Sequence, residues 1–273
     1  MFSIDLACGQ PEKDLLVADL FEAGSTGIVE LEDGTLETTG DTAHLRAFFD
    51  DDSRQPELVA RFGGEPVPAD TRDWVAFAHE YLQPLEIGQR IFVCPEWRQD
   101  PTPPGRIRIE VNAGLAFGTG AHETTRLCLE AIERNLRPGM AVADVGTGSG
   151  ILAEAAAKLG AGSVIACDND AEAVDVAREN LARAGLDISV SVASASDLSS
   201  ASADLIAANI SPAWIADLAP EWARVLKSGG RAILSGFEAA DIPLVSAALV
   251  DAGLRISGEF GEREWRMLEA IRD

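Results

Sequence analysis

The second half of the chain alternates between two patterns of apolar residues. Short apolar runs, typical of buried strands, are separated by longer stretches in which apolar residues recur every three or four positions, as on one face of a helix. That alternation is typical of a parallel sheet whose strands are joined by crossover helices. It predicts strands at 141–145, 163–167, 188–192, 203–208 and 231–235, and helices at about 151–159, 171–184 and 213–226.

The last two predicted strands, 254–259 and 265–271, are joined only by residues 260–264. This connection is too short for a parallel crossover, so we expect the two strands to pair antiparallel. The pattern therefore predicts an α/β, doubly wound sheet that is mostly parallel and has one reversed strand at its end.

The first part of the chain has a weaker pattern. A helical pattern near residues 14–24 and a strand-like run at 27–31 predict a small α+β unit that ends at about residue 70. The acidic segment 50–52 and the segment 63–68, which is rich in glycine and proline, are expected to be exposed loops.

A connecting helix is predicted between the two parts. Residues 73–83 place apolar side chains at i, i+3, i+4 and i+7, and Pro84 ends that stripe. Strand-like runs at 90–94 and 106–111 then lead into the main domain. The predicted domains are an N-terminal domain at 1–70, a linker helix at 71–84 and a main domain at 85–273.

Composition narrows the class of protein. The 273 residues, 47% of them hydrophobic, suffice for one large domain and a smaller one. No run approaches the ~18 apolar residues of a membrane span, and the N-terminus lacks the pattern of a secretory signal, so we expect a cytoplasmic protein without membrane contact. The four cysteines and three histidines are scattered, and we expect neither a disulfide nor a bound metal.

The charge of the chain bears on its partners. The 22 basic and 45 acidic residues give a formal net charge of −23, which argues against direct contact with nucleic acid, because phosphates are bound by clustered Lys and Arg. Two interpretations stay open: a surface adapted to solubility or salt, and a surface that attracts a basic partner. We expect a monomer.

A glycine-rich turn at 146–150, Gly-Thr-Gly-Ser-Gly, lies between a predicted strand and a predicted helix. Gly146, Gly148 and Gly150 would let a ligand approach the backbone. A dinucleotide motif G-x-G-x-x-G that begins at Gly146 would need a third glycine where the chain has Ile151. The spacing therefore favours S-adenosylmethionine as the cofactor, and the predicted sheet matches the Rossmann-like class I methyltransferase variant of the doubly wound fold.

Two carboxylates follow the next two predicted strands. Asp168 comes 22 residues after Gly146, where an adenosine-containing cofactor has its ribose hydroxyls bound, although it is also placed to cap the helix that begins near Asp170. Asp197 follows the third strand and is placed to accept a hydrogen bond from the adenine amine. An ordinary turn residue explains Asp197 equally well.

Asn209 stands at the end of the fourth predicted strand, and the carboxyl ends of such strands form the ligand crevice. An amide oxygen there, with a nearby backbone carbonyl, would orient an amine for methyl transfer, which is catalysis by positioning. The alternative is an ordinary turn before Pro212.

The loop at 114–125 precedes another predicted helix. Thr124 or Thr125 would cap that helix and present a hydroxyl to the cofactor. The three glycines of the loop suggest a segment that closes over a site, and a merely flexible loop is the alternative. His122 is a candidate to bind or deprotonate a substrate, although a lone loop histidine more often does neither.

The chain resembles the PrmA family, the bacterial methyltransferases of large-ribosomal-subunit protein eleven, over nearly its full length. The loop at 117–125, Phe-Gly-Thr-Gly-x-His-x-Thr-Thr, is the most specific match. The other matching segments are 20–27, 73–75, 95–97, 146–152 and 235–236. The resemblance implies that the cofactor-binding positions fall on Thr125, Gly146, Asp168 and Asn209, and Phe117 and Gly118 are assigned to the same site.

The resemblance also implies an activity. It predicts methyl transfer from S-adenosylmethionine to lysine side chains and/or the N-terminal amine of a basic ribosomal protein, held by the N-terminal domain. The chain departs from the family pattern in two places, at Ser211-Pro212 and at His79. The alternatives are a methyltransferase with another protein or small-molecule acceptor, a nicotinamide-dependent oxidoreductase, which the position of Ile151 disfavours, and a non-catalytic binding module.

Overall fold

The computed structural model describes residues 2–9, 13–25, 27–30, 42–49, 52–68, 83–111 and 122–273. The chain forms two compact units, residues 1–76 and 77–273. Most of the predicted linker helix, residues 71–82, lies outside the described residues.

The first unit contains an antiparallel four-stranded sheet with the order β2-β3-β1-β4. Its strands and helices are β1 Phe2–Gly9, α1 Lys13–Glu22, β2 Gly27–Glu30, β3 Thr42–Phe49, α2 Gln55–Phe62 and β4 Glu65–Pro68. Ile4, Phe49, Leu20 and Leu58 pack in its core. The unit is α+β, as the sequence pattern predicts.

One prediction for this unit is wrong. Residues 63–68 were expected to form a loop, but Glu65–Pro68 pair with β1 as an edge strand. An edge strand accommodates Pro66 and Pro68 because it needs backbone donors on only one side.

The second unit begins with a small sheet that packs beside the main one. It contains β5 Leu85–Ile87, β6 Ile91–Pro95 and β7 Ile107–Val111, with β5 antiparallel and β7 parallel to β6. The inward side chains of these strands share one apolar core with the first two helices of the main fold.

The main sheet has seven strands in the order β10-β9-β8-β11-β12-β14-β13. Its strands are β8 Ala141–Val145, β9 Ser163–Asp168, β10 Ser189–Val192, β11 Ala203–Asn209, β12 Leu226–Glu238, β13 Leu254–Glu262 and β14 Trp265–Arg272. All are parallel except β14, which pairs antiparallel with both of its neighbours. This confirms the predicted α/β class I methyltransferase fold.

The position of the reversed strand differs from the prediction. β14 lies second from the edge and β13 forms the edge. The connection between the strands explains this order. The chain leaves β12 and passes through a helix to β13, so that the position in the sheet next to β12 stays open. After the tight turn at 263–264, β14 fills that position.

The helices of the second unit cover both faces of the main sheet. They are α3 Glu123–Asn135, α4 Ile151–Lys158, α5 Ala171–Arg183, α6 Pro212–Asp217, α7 Ala219–Val225 and α8 Ile242–Asp251. The single helix predicted at 213–226 is two helices that break at Leu218. Pro220 has no N–H to continue the first helix, and a new helix begins at Ala219. Trp222 Nε1 donates to Ile215 O at 2.9 Å and ties the two together.

Three of the four cysteines, Cys94, Cys128 and Cys167, are buried, and none of the four, all of which lie in described segments, forms a disulfide. Burial raises the pKa of the Cys128 thiol well above its ordinary value. In the described part of the chain, no group of three or more His, Cys, Asp or Glu side chains is arranged to hold a metal, and no helix is long and apolar enough to cross a membrane.

Candidate active site

A cavity of about 750 Å³ opens at the carboxyl edge of the main sheet. It is lined by the ends of β8, β9 and β11, by the segment after β10, and by the first turns of α3, α4 and α5. This is where doubly wound sheets bind their ligands, and the volume suits a ligand the size of a nucleoside derivative.

The glycine turn after β8 forms one wall of this cavity. Gly146, Gly148 and Gly150 have φ of +72°, +54° and +84°, which side chains rarely adopt. A Cβ on Gly146 would also lie 2.2 Å from Cγ2 of Ile210, so a larger residue there would close the cavity against β11. Gly146 and Gly148 therefore present bare backbone to the cavity, whereas Gly150 is not among the lining residues and lies against Leu181 and Ala177 of α5.

Asp168, the last residue of β9, lines the cavity. Its Oδ2 accepts from the N–H of Gly148 at 2.9 Å and its Oδ1 accepts from the N–H of Asp170 at 3.1 Å. The cap of α5 is Asp170, whose carboxylate accepts from Glu172 N at 2.9 Å. Asp168 is thus not the cap of α5, and its oxygens keep lone pairs for ligand hydroxyls.

Asp144 in β8 is a buried carboxylate that the sequence analysis did not select. Its Oδ2 accepts from Thr147 Oγ1 at 2.7 Å and from Ala153 N at 3.0 Å, which fixes the glycine turn to the start of α4. Burial raises its pKa to about 6. Its sequence signal is an acidic residue two positions before the first glycine in an otherwise apolar strand.

Asn209 lies at the end of β11 and lines the cavity with Thr125. Its Nδ2 donates to Thr124 Oγ1 at 3.1 Å and to Thr125 Oγ1 at 3.4 Å. Both threonines are buried in the first turn of α3. Because the amide nitrogen is committed to these hydroxyls, the amide oxygen is left as the group that can accept from an amine.

The other predicted site residues are not placed in the cavity by the described structure. Asp197 lies in a short 3-10 turn, where its Oδ2 accepts from Ser194 N at 2.8 Å. Ser194, and not Asp197, is among the lining residues. The contact to adenine therefore remains a prediction, while the observed contact matches the turn alternative. Phe117 and Gly118 lie outside the described residues.

The lining is acidic on one side and apolar on the other. Asp168, Asp170 and Glu172 supply carboxylates, and no Lys or Arg of the described chain is among the lining residues. Trp214 and Leu218, which the sequence analysis did not select, add an apolar wall. Such a lining suits a cationic, aromatic ligand better than a pyrophosphate, and S-adenosylmethionine fits that description.

Comparison with known proteins identifies the relatives of this chain. A family model described as ribosomal protein L11 methyltransferase (PrmA) matches residues 6–273. A ribosomal protein L11 methyltransferase of Symbiobacterium thermophilum is 42% identical over 200 residues, which are 73% of this chain and 66% of that protein. Another, of Pelotomaculum thermopropionicum, is 36% identical over 95% of both chains. The matched segment thus spans about two thirds of the first relative and nearly all of the second.

A solved structure gives the same result. The ribosomal protein L11 methylase of Lactobacillus delbrueckii subsp. bulgaricus superimposes with a TM-score of 0.65 at 34% identity. The superposition covers 71% of this chain and 99% of that structure. The similarity therefore includes most of the second unit, which carries the cavity.

Proposed function

The chain belongs to the ribosomal protein L11 methyltransferase (PrmA) family, and on that premise we propose that it methylates lysine side chains and/or the N-terminal amine of ribosomal protein L11 with S-adenosylmethionine. The observation that carries this proposal is the Asn209 amide, whose nitrogen donates to two threonine hydroxyls at the cavity that Asp168 also lines. That orientation suits the binding of an amine nitrogen.

In this proposal the chain acts by positioning. When bound, S-adenosylmethionine supplies a methyl group on a sulfonium, and the amine nitrogen bonds to that carbon while the electrons of the carbon–sulfur bond stay on sulfur. Asn209 Oδ1 accepts from an N–H of the amine and so directs its lone pair toward the methyl carbon. A lysine of pKa ~10.4 is mostly charged at pH 7, so it must lose a proton before attack. Asn209 is not a base, and the proton passes to water.

The cofactor contacts are proposed residue by residue. The backbone of Gly146 and Gly148 lies against the methionine portion, and Asp168 accepts from the ribose hydroxyls. Gly150 keeps its predicted place in the same turn. Thr125 adds a hydroxyl beside Asn209. Asp197, Phe117 and Gly118 keep their predicted places in the cofactor site.

The acceptor is proposed to be held by the N-terminal domain, residues 1–70, with residues 71–84 as the linker to the catalytic domain at 85–273. A net charge of −23 would steer a basic ribosomal protein toward this chain, so added salt should slow their association. The same charge disfavours direct contact with ribosomal RNA.

The experiment is incubation of the chain with labelled S-adenosylmethionine and free ribosomal proteins, followed by mass mapping. We expect label on amines of ribosomal protein L11 and on no other protein. Label on another protein instead would mean that the chain is a methyltransferase with a different acceptor. Calorimetry with S-adenosylmethionine and with NAD is the control, because binding of NAD alone would contradict the proposal and favour an oxidoreductase.

A further inference from the structure

A chain of hydrogen bonds leads from the N-terminus of α3 to the Asn209 amide. His122, the cap of this helix, has its Nδ1 2.8 Å from Thr124 Oγ1 and accepts from Thr124 N at 3.3 Å. Thr124 Oγ1 in turn accepts from Asn209 Nδ2 at 3.1 Å. Thr124 is 1% exposed, so its hydroxyl exchanges little with water.

The direction of the bonds in this chain follows from the His122 tautomer whose Nδ1 accepts from Thr124 N. Nδ1 of His122 accepts from a backbone N–H, so it carries no hydrogen. The hydroxyl hydrogen of Thr124 must therefore point to Nδ1, and its oxygen lone pairs face Asn209. Only the NH₂ end of the Asn209 amide can pair with an oxygen in that state.

An Asn amide has two flip states of nearly equal shape, and the hydroxyl of a threonine is compatible with both. With its hydrogen free, Thr124 could donate to the amide oxygen and hold Asn209 in the reversed state. The reversed state would present NH₂ to the cavity and repel an incoming amine. The acceptor nitrogen of His122 removes that option.

We propose that His122 is a positioning residue that holds the Asn209 amide, through Thr124, in the flip state with its oxygen toward the acceptor amine. This inference rests on the proposed role of Asn209.

The C-terminal hairpin holds His122 in place. Trp265, the first residue of β14, contacts the His122 ring edge-on with centroids 4.7 Å apart. Arg126, one turn into α3, pairs with both oxygens of Glu262 at 2.6 Å and 3.1 Å. These contacts fix the N-terminal end of α3 and take no part in the chain of hydrogen bonds. The anchoring of His122 can therefore be kept while its hydrogen bond to Thr124 is removed.

The test uses two cofactor analogues that need no acceptor protein. Sinefungin carries an amine in place of the methyl-bearing sulfonium, and S-adenosylhomocysteine carries neither. Calorimetry should show that the wild type prefers sinefungin, because its amine donates to Asn209 Oδ1. His122→Phe keeps the aromatic contact to Trp265 and lacks the acceptor, and we expect it to reduce the preference about tenfold, the value of one hydrogen bond.

Matched variants make the result specific. His122→Asn supplies an oxygen near the place of Nδ1 and should restore the preference. Thr124→Val should lose it and Thr124→Ser should keep it, which decides the question if His122→Phe does not fold. The His122→Phe, Thr124→Val double variant should show the same preference between the analogues as the Thr124→Val variant, because both substitutions break the same chain of hydrogen bonds.

Two outcomes would overturn the inference. One is an unchanged preference in His122→Phe, and the other is independent, multiplying losses in the double variant. With ribosomal protein L11 as acceptor, His122→Phe should also lower kcat about tenfold and leave the KM for S-adenosylmethionine unchanged. Absence of any methyl transfer by the wild type would count against the proposed function, while the analogue preference would still decide the role of His122.

Discussion

Two neighbouring strands, β9 and β10, each have a carboxylate at or beyond their end, and the two carboxylates have different surroundings. Asp168 lines the cavity and accepts from Gly148 N, whereas Asp197 closes a local turn by accepting from Ser194 N. The sequence pattern predicts a cofactor contact for both. What separates them is the distance from the strand end, because Asp168 is the last residue of β9 and Asp197 lies five positions beyond β10.

This difference teaches where a ligand contact can be inferred from a strand pattern. A residue at the end of a buried strand has its place set by the sheet ladder, and β9 is paired on both sides. β10 is an edge strand of four residues, after which the chain turns back through Ser194. A third carboxylate, Asp144, lies inside β8. It is buried beneath the glycine turn, in contrast to the carboxylates at the ends of β9 and β10.

Asp144 gives the largest expected effect. Burial raises its pKa to about 6, well above the ordinary value of an aspartate, so the folded state holds the proton over a range where the unfolded state has lost it. The stability of the wild type relative to Asp144→Asn should therefore fall as the pH rises from about 4 to about 6 and then level off, by about 3 kcal/mol in all. Urea unfolding of both proteins without cofactor across this range measures it.

The control for this prediction is the same comparison at pH 4 and below, where the protonated Asp144 and an asparagine have the same charge. The two proteins should then differ little. A stability difference that stays constant with pH would mean that Asp144 is not the titrating group.

Asp168→Ala should come next in size. It removes the proposed acceptor of the ribose hydroxyls and the partner of Gly148 N. Hydrogen bonds to a charged group are worth about 2 kcal/mol, so we expect the Kd for S-adenosylmethionine to rise about 30-fold. Calorimetry gives this value. The Kd of Asp168→Asn, which keeps an oxygen acceptor, should lie between the Kd of the wild type and that of Asp168→Ala. Unchanged affinity in Asp168→Ala would remove the ribose assignment.

Asp197→Ala should have the smallest effect on binding and so sharpens the comparison. Loss of the turn contact to Ser194 N should cost about 1 kcal/mol of stability, as for other caps. If Asp197 acts only in the turn, the Kd for S-adenosylmethionine should stay within about twofold, because the lost interaction is then internal. A weakening as large as that of Asp168→Ala would instead support the predicted adenine contact.

Most of the main sheet was predictable from the sequence, because β8, β9 and β11 are apolar runs with glycine or polar residues at their ends. Asp168 and Asn209 were found for the same reason. The turn at Leu218 was not, since the apolar stripe continues through it and only Pro220 marks the break.

The arrangement of the site was less predictable. Thr124 and Asn209 are 85 positions apart in the chain, and only the folded sheet brings α3 against the end of β11. Asp144 was missed because its acidic side chain stands in an otherwise apolar strand and bonds only within the protein. Sequence patterns locate strand ends, while tertiary packing determines which side chains meet there.

The central claim is that the Asn209 amide orients an amine for methyl transfer from S-adenosylmethionine. The direct measurement is the intact mass of purified ribosomal protein L11 over a single turnover with wild-type and Asn209→Ala enzyme, with the cofactor Kd measured in parallel. We predict added methyl masses with the wild type and, at saturating cofactor, a rate about 100-fold lower in the variant. Transfer by Asn209→Ala at the wild-type rate would contradict the account.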